Sequence, residues 1–206
     1  LSIGPIELRW YSVLYITGIL LSFYCFLIRS KHQHKQSFLH AAPDMLLAVL
    51  IGIVIGARLG YALFYQPAYF LSHPLALIWP FEGGEFTGIQ GLSYHGGAIG
   101  FIISMLWISF RHRLNVYELL NHVIVCVPLG YTLGRIGNFM NLELYGRPTM
   151  SWIGMVYPAD PLQTVRYPSQ LFEAIGEGIL LSLFLLWISR SPRLRKISLP
   201  LYCIGY

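Results

Sequence analysis

One stretch concentrates the reactive side chains of this sequence: Gly134-Arg135-Ile136-Gly137-Asn138-Phe139-Met140-Asn141-Leu142-Glu143-Leu144-Tyr145-Gly146-Arg147. It sets arginines, a glutamate and asparagines between glycines, directly after an apolar run that reads as a membrane helix. A charged side chain at bilayer depth costs about 2.5 to 3.5 kcal/mol or more, so an arginine there faces protein or water and is a functional-site candidate by default. The alternative is that Arg135 only marks the helix end and reaches to the interface. Arg58 and Arg147 add two further guanidinium groups. The guanidinium fork binds phosphate oxygens bidentately, and a phospholipid headgroup is the phosphate present at the membrane surface. His95, followed by Gly96-Gly97, is able to exchange a proton near neutral pH. A histidine near an interface is also a common hydrogen-bonded helix-end residue.

The elements that must position these groups are apolar. Of 206 residues, 55% are hydrophobic and 11% charged. A soluble domain carries about 25% charged residues, so this chain has too little polar surface for a water-facing globule. The pattern predicts an all-α integral membrane protein, a polytopic helical bundle in one domain with about six spans. Trp10 to Ile28 is close to the roughly 20 residues that cross a hydrocarbon core. The other spans are read at 45–65, 93–110, 116–134 and 171–189, and 197–206 begins a sixth that is incomplete at Tyr206. Gly52, Gly56 and Gly60 repeat at four-residue spacing, which lets helices approach closely. Pro168 suits a helix start, with Ser169 as its cap.

Basic clusters at 29–35, 111–113 and 190–196 follow spans one, three and five and read as cytoplasmic. The N-terminus is then external. Residues 66–94, which contain Glu82 and Glu85 but no lysine or arginine, form an external loop, with an interfacial piece around Ala68 to Trp79. This topology sets Arg58, His95, Arg135, Asn138, Glu143, Arg147, Tyr167 and Glu173 at one outer level. Glu118, Asn121 and His122 fall near the inner end of span four, where neighbouring helices or interfacial water satisfy them.

The net charge of +5 comes from those clusters, and topology explains it without a nucleic-acid partner. Cys25, Cys126 and Cys203 each sit in an apolar run and read as small buried hydrophobes. No CxxC or HExxH pattern supports a metal site. The first run lacks the basic n-region and cleavage site of a removable signal peptide and reads as a permanent anchor.

Several motifs together resemble the bacterial prolipoprotein diacylglyceryl transferases. They are Ile3-Gly4-Pro5 with Arg9-Trp10-Tyr11, Gly56-Ala57-Arg58-Leu59-Gly60-Tyr61, Ser93-Tyr94-His95-Gly96-Gly97, the long Gly134 to Arg147 motif, and Tyr167-Pro168-Ser169-Gln170-Leu171-Phe172-Glu173. The resemblance implies transfer of the diacylglyceryl group of phosphatidylglycerol to the lipobox cysteine of a prolipoprotein signal peptide. It implies a thioether product, glycerol phosphate as leaving group, no cofactor and no metal. It also implies the bacterial inner membrane, with the site toward the periplasmic face.

The family's functional positions fall on Tyr11, His95, Arg135, Asn138, Glu143 and Gly146. In this reading Arg135 stabilises the leaving phosphate with Asn138 as a supporting donor, His95 is the candidate base, and Glu143 orients an arginine or a substrate hydroxyl. Arg58, Asn141 and Arg147 join Arg135, Asn138 and Gly146 as substrate-binding candidates. Leu142 stands where the family has a small residue and Tyr167 where it commonly has histidine. Family members also continue past the position of Tyr206 with a further arginine- and glutamate-bearing helix. Three other readings remain: a transporter of anionic lipid or solute, a family member that binds lipid or precursor without turnover, and an enzyme acting on another headgroup or nucleophile.

Overall fold

Backbone N–H and C=O groups in lipid must be paired within the segment, so apolar sequence of this length folds as helices. The computed structural model describes residues 2–3, 6–7, 10–79, 81–82, 85–86 and 91–206, and the side chains of 12–79 and 91–206. Gly4, Pro5, Arg9, Pro80, Gly83 and Gly84 lie outside the described residues, as do the side chains of Ile3, Trp10, Tyr11, Glu82 and Glu85. The chain is an all-α membrane protein. Three helical segments are long and apolar enough to cross a bilayer, Ser12–His32, Gln36–Phe64 and Ser169–Ile188, and a bent pair makes a fourth. Their outward residues, including Leu20, Leu47, Ile51, Leu63 and Leu183, are exposed apolar groups of the kind lipid covers. Contacts group the chain into two compact units, 1–33 with 120–206, and 34–119.

In the 34–119 unit, α2 (Gln36–Phe64) packs along α4 (Tyr94–Arg111). The sequence placed the start of this span at Met45, yet the helix begins at Gln36 and runs through Pro43. Burial of Phe38, Ala41, Ala42 and Met45 holds this first part helical despite the missing proline N–H. The glycine stripe meets a second one: a Cβ on Gly60 would lie 2.7 Å from Gly96 Cα, and one on Gly56 would lie 2.9 Å from Gly100 Cα. Ser104 Oγ donates to Ala48 O at 2.8 Å and ties the same seam. At the far end, Asp44 accepts from Arg111 Nε at 3.0 Å and contacts His112 Nε2 at 3.0 Å, and Lys35 pairs with Glu118. The interfacial piece divides at His73 into α3 (Pro67–Ser72) and a 3₁₀ turn (Pro74–Leu77). α4 covers the residues read as the third span, but with His95 and Arg111 in its 18 residues it is not among the helices apolar enough to cross.

In the other unit, α1 (Trp10–His32) packs against α6 (Val127–Met140) where Gly18 meets Gly130; a Cβ on Gly18 would lie 2.8 Å from Gly130 O. The fourth expected span is not one helix. α5 (Val116–Val123) and α6 form two pieces bent by 46°, because Pro128 in the first turn of α6 has no N–H to offer Ile124 O and its ring crowds that carbonyl, so α5 cannot run on into α6 without a break. α6 then runs on past Leu133 to Met140, so the first half of the reactive stretch is helical.

The last span is α7 (Ser169–Glu173), a π-helical turn (Ala174–Leu180) and α8 (Leu181–Ile188). Ser169 is its first helical residue and donates to Leu144 O at 3.2 Å; the side-chain cap expected of it is absent. Ile124, Val125, Leu181 and Leu185 form a buried cluster against which Leu199 and Tyr202 of α9 (Ser198–Gly205) pack.

Arg29, read as part of a basic stop, is instead buried and donates to Ser189 Oγ at 2.6 Å. Ser30 hydrogen-bonds His122 Nε2 at 3.0 Å, and Asn121 Oδ1 accepts from Leu199 N at 2.9 Å. Of the cysteines, Cys126 is buried, Cys25 is half-buried and Cys203 is exposed, so the buried reading fails for Cys203.

Gly60→Val is expected to cost about 1 to 3 kcal/mol, because the branched side chain must displace backbone of α4. Gly176→Ala, which meets nothing within 4 Å, is expected to leave stability unchanged or raise it. Thermal unfolding of the two variants in detergent checks both.

Candidate active site

Arg135 lies one turn after Tyr131 and one turn before Asn138 on α6, so all three share a face. Its side chain is 22% exposed. Nη2 pairs with Glu173 Oε2 at 2.6 Å, Nε donates to Tyr131 Oη at 2.9 Å, and the guanidinium lies 5.1 Å from the centroid of the Tyr131 ring. Tyr131 Oη is 2.6 Å from Glu177 Oε2 and 3.2 Å from Glu173 Oε2. A cation in an apolar span thus has an anion, a hydroxyl and a ring face, while Nη1 has no acceptor among the described residues.

The chain leaves α6 through a strained turn. Leu142 and Leu144 take φ of +58° and +57°, a region where a Cβ costs energy. Glycine, which lacks a Cβ, would adopt that conformation at position 142 without the strain. The turn folds Glu143 back so that its Oε1 accepts from Asn138 Nδ2 at 2.9 Å and Asn141 Nδ2 at 3.5 Å. Glu143 therefore orients two amides, and of the two roles read for it, an arginine or a substrate hydroxyl, it makes no ion pair with an arginine among the described residues. Gln170, fully buried, donates to Glu143 O at 2.6 Å and accepts from Tyr157 Oη at 3.3 Å.

Gly146 N donates to Tyr167 O at 2.9 Å, and a Cβ on Gly146 would lie 3.0 Å from that oxygen, so the close backbone approach favours glycine there. Arg147 has an exposed side chain and contributes its carbonyl to Tyr167 N at 3.1 Å.

The loop that follows is closed by a hairpin of β5 (Met155–Val156) and β6 (Val165–Arg166), the fifth and sixth of the short strands after β1 (Ser2–Ile3), β2 (Ile6–Glu7), β3 (Phe81–Glu82) and β4 (Glu85–Phe86). Asp160, 1% exposed, is its anchor. It accepts from Arg166 Nε at 2.6 Å, Thr164 Oγ1 at 2.8 Å, and the backbone of Leu162 and Thr164. The Arg166 hydrogen bond, helped by Thr164 and the two amides, holds this carboxyl well below the usual carboxylate range against the effect of burial. Burial pushes the Tyr157 phenol up.

In the other unit, Ser93 caps α4 by accepting from Gly96 N at 3.3 Å, which places His95 in the first turn. Its ring is exposed beside Tyr94, at 5.8 Å between centroids. Arg58 donates from Nε to Leu77 O at 3.0 Å, from Nη2 to Ala76 O at 2.5 Å and from Nη1 to Gly91 O at 3.3 Å, over the Phe70 ring. It clasps the connection between α2 and α4 by the carbonyls of that connection. Tyr11 is in the first turn of α1, with its side chain outside the described residues. The structure therefore brings Arg135, Asn138, Asn141, Glu143 and Gly146 into one unit and places Arg58 and His95 in the other.

Tyr131 and Glu177 were missed in the sequence. Their signal was helical spacing, four residues before Arg135 and four after Glu173.

The family model described as Prolipoprotein diacylglyceryl transferase matches residues 1–206. The chain belongs to that family. Among relatives named phosphatidylglycerol–prolipoprotein diacylglyceryl transferase, that of Acinetobacter baylyi is 37% identical over all of this chain and 74% of its own length. That of Bordetella parapertussis is 38% identical, with 76% of its length covered, and that of Chlorobaculum tepidum 40%, with 72% covered. The long motif and its Tyr167–Glu173 companion are thus features of a family member, and the geometry above is how this member holds them.

Two predictions follow from the turn and the hairpin. Leu142→Gly, by removing a Cβ from a left-handed residue, is expected to raise stability by about 1 kcal/mol in thermal unfolding. Because the Asp160 carboxyl is depressed in the folded state, its contribution is present above the unfolded value of about 3.9 and is lost as pH falls below it. Proteolytic cleavage within 145–167 is expected to rise below about pH 4 in the parent, and to be high already at pH 7 in Asp160→Asn.

Proposed function

We propose that this protein transfers the diacylglyceryl group of phosphatidylglycerol to the thiol of the lipobox cysteine in a prolipoprotein signal peptide. The cysteine sulfur attacks the glycerol carbon that bears the phosphate, that carbon–oxygen bond breaks, and the products are a thioether and glycerol phosphate. The observation that carries the reading is Arg135, anchored through Nε and Nη2 with Nη1 unengaged among the described residues, in a chain that matches the family along its whole length.

The chemistry suits that group. A phosphodiester with one negative charge becomes a monoester with nearly two, so a fixed cation favours the transition state over the bound substrate. Asn138, held by Glu143, supplies a further donor beside it. The nucleophile must be a thiolate, and a free cysteine with pKa near 8.5 is mostly protonated at neutral pH. His95 takes that proton in this reading; its exposed ring, in the first turn of α4, has no hydrogen-bond partner among the described residues. Asn141, Gly146, Arg147 and Tyr11 line or shape the substrate path. Arg58 acts indirectly, through the connection it clasps.

The basic clusters after spans one, three and five support an orientation in the bacterial inner membrane with the site on the periplasmic side. Membrane lipids surround the protein, and no cofactor, metal or nucleic acid enters the reaction.

The test is mass spectrometry of a lipobox-cysteine peptide incubated with phosphatidylglycerol and the protein in detergent or nanodiscs. A diacylglyceryl gain on the cysteine is expected. His95→Ala and Arg135→Ala are each expected to lower the rate by about 100-fold or more, and Arg58→Ala by less. No gain in the parent, with lipid still retained, would replace the transferase reading by that of a lipid-binding family member.

A further inference from the structure

The reaction as proposed leaves Glu177 without a task. Two carboxylates, Glu173 and Glu177, meet the Arg135–Tyr131 pair. Glu173 pairs with Nη2 directly. Glu177 makes its contact with the hydroxyl of Tyr131, and that hydroxyl accepts from Arg135 Nε. A phenol has one proton to donate. The shorter distance, 2.6 Å to Glu177 against 3.2 Å to Glu173, assigns it to Glu177. The Tyr131 hydroxyl is then oriented, with its lone pairs turned toward Arg135.

Three further features keep this chain of contacts in place. The Tyr131 ring lies under the guanidinium, and Tyr206 meets that ring edge-on at 5.4 Å. Gly178 abuts Thr132, with the Cβ that it lacks directed at the threonine side chain, which sets the spacing between α6 and the last span. Glu177 sits on the π-helical turn Ala174–Leu180, a local distortion of the kind that recurs at functional sites.

We propose that Tyr131 and Glu177 are positioning residues for Arg135: Glu177 orients the tyrosine hydroxyl, which holds Nε and so aims the unengaged Nη1 edge at the substrate phosphate. The proposal rests on the reading of Arg135 as the phosphate-facing cation. Neither residue touches substrate, and both act through the guanidinium. A misaimed charge weakens stabilisation of the developing dianion more than it weakens lipid binding.

The experiment compares Tyr131→Phe, Glu177→Ala and Glu177→Gln with the parent, by transfer kinetics and by nitrogen-15 NMR of the Arg135 Nε–H group. Tyr131→Phe and Glu177→Ala are expected to lower kcat by about tenfold or more, with KM for phosphatidylglycerol changed less than about threefold. Glu177→Gln keeps a carbonyl oxygen for the tyrosine proton and is expected to recover most of that loss. The Arg135 Nε–H signal is expected to be ordered in the parent and averaged in Tyr131→Phe. If the parent transfers nothing but its ordered Arg135 signal is averaged in Tyr131→Phe, the reading of function fails and the positioning role stands. An unchanged signal in Tyr131→Phe overturns the positioning role, as does an equal kcat per folded molecule in all four proteins when the parent transfers.

Discussion

A guanidinium inside an apolar span cannot look to bulk water for its hydrogen bonds, so the protein around Arg135 must provide them. It does so from two directions. Tyr131 lies on the same helix, and Glu173 comes from the last span at 2.6 Å. Each solution places a demand on its neighbours. The tyrosine hydroxyl needs an acceptor, which is Glu177, and Glu177 needs the π-helical turn and the close approach at Gly178 to reach it. The position of one charge thus accounts for the composition of an otherwise apolar helix pair.

Close helix approach recurs as the means of holding polar groups. In one unit the contact is Gly18 on Gly130; in the other it is the paired stripes of Gly52, Gly56 and Gly60 with Gly96 and Gly100. Lipid tails are as apolar as leucine, so apolar side chains alone give helices little reason to associate in a bilayer. Small residues let backbones touch over a long seam, where dispersion and contacts such as Ser104 Oγ to Ala48 O operate. The same seam carries the first turn of α4 and with it His95.

Outside the spans, water competes for every polar group, and order comes from burying a few of them well. Asp160 gathers the hairpin around one carboxylate. The Arg166 that it holds lies over Tyr145, whose ring packs on Tyr157, and Tyr157 reaches Gln170 and through it the backbone of Glu143. A loop residue is in this way connected to the glutamate that orients Asn138. The left-handed residues Leu142 and Leu144 are the strained cost of that return.

Much of the molecule was legible from residue types alone. Apolar runs marked most of the helices, and four-residue glycine spacing marked a packing seam; both follow from local periodicity, which needs no knowledge of the partner. Arg135, Asn138 and Glu143 stood out because charge and amide groups are costly where they occur. What the sequence could not carry were facts that depend on the partner. Pro43 remains helical because its neighbours are buried, Arg29 is enclosed instead of interfacial, and Arg58 is engaged by carbonyls whose identity no side-chain pattern reveals. Tyr131 and Glu177 look like ordinary helix residues until two helices set them against one guanidinium. By itself, the sequence determined which groups must avoid lipid, since solvation is a property of each side chain. Only the tertiary structure decided which group answers which, since a hydrogen bond belongs to a pair.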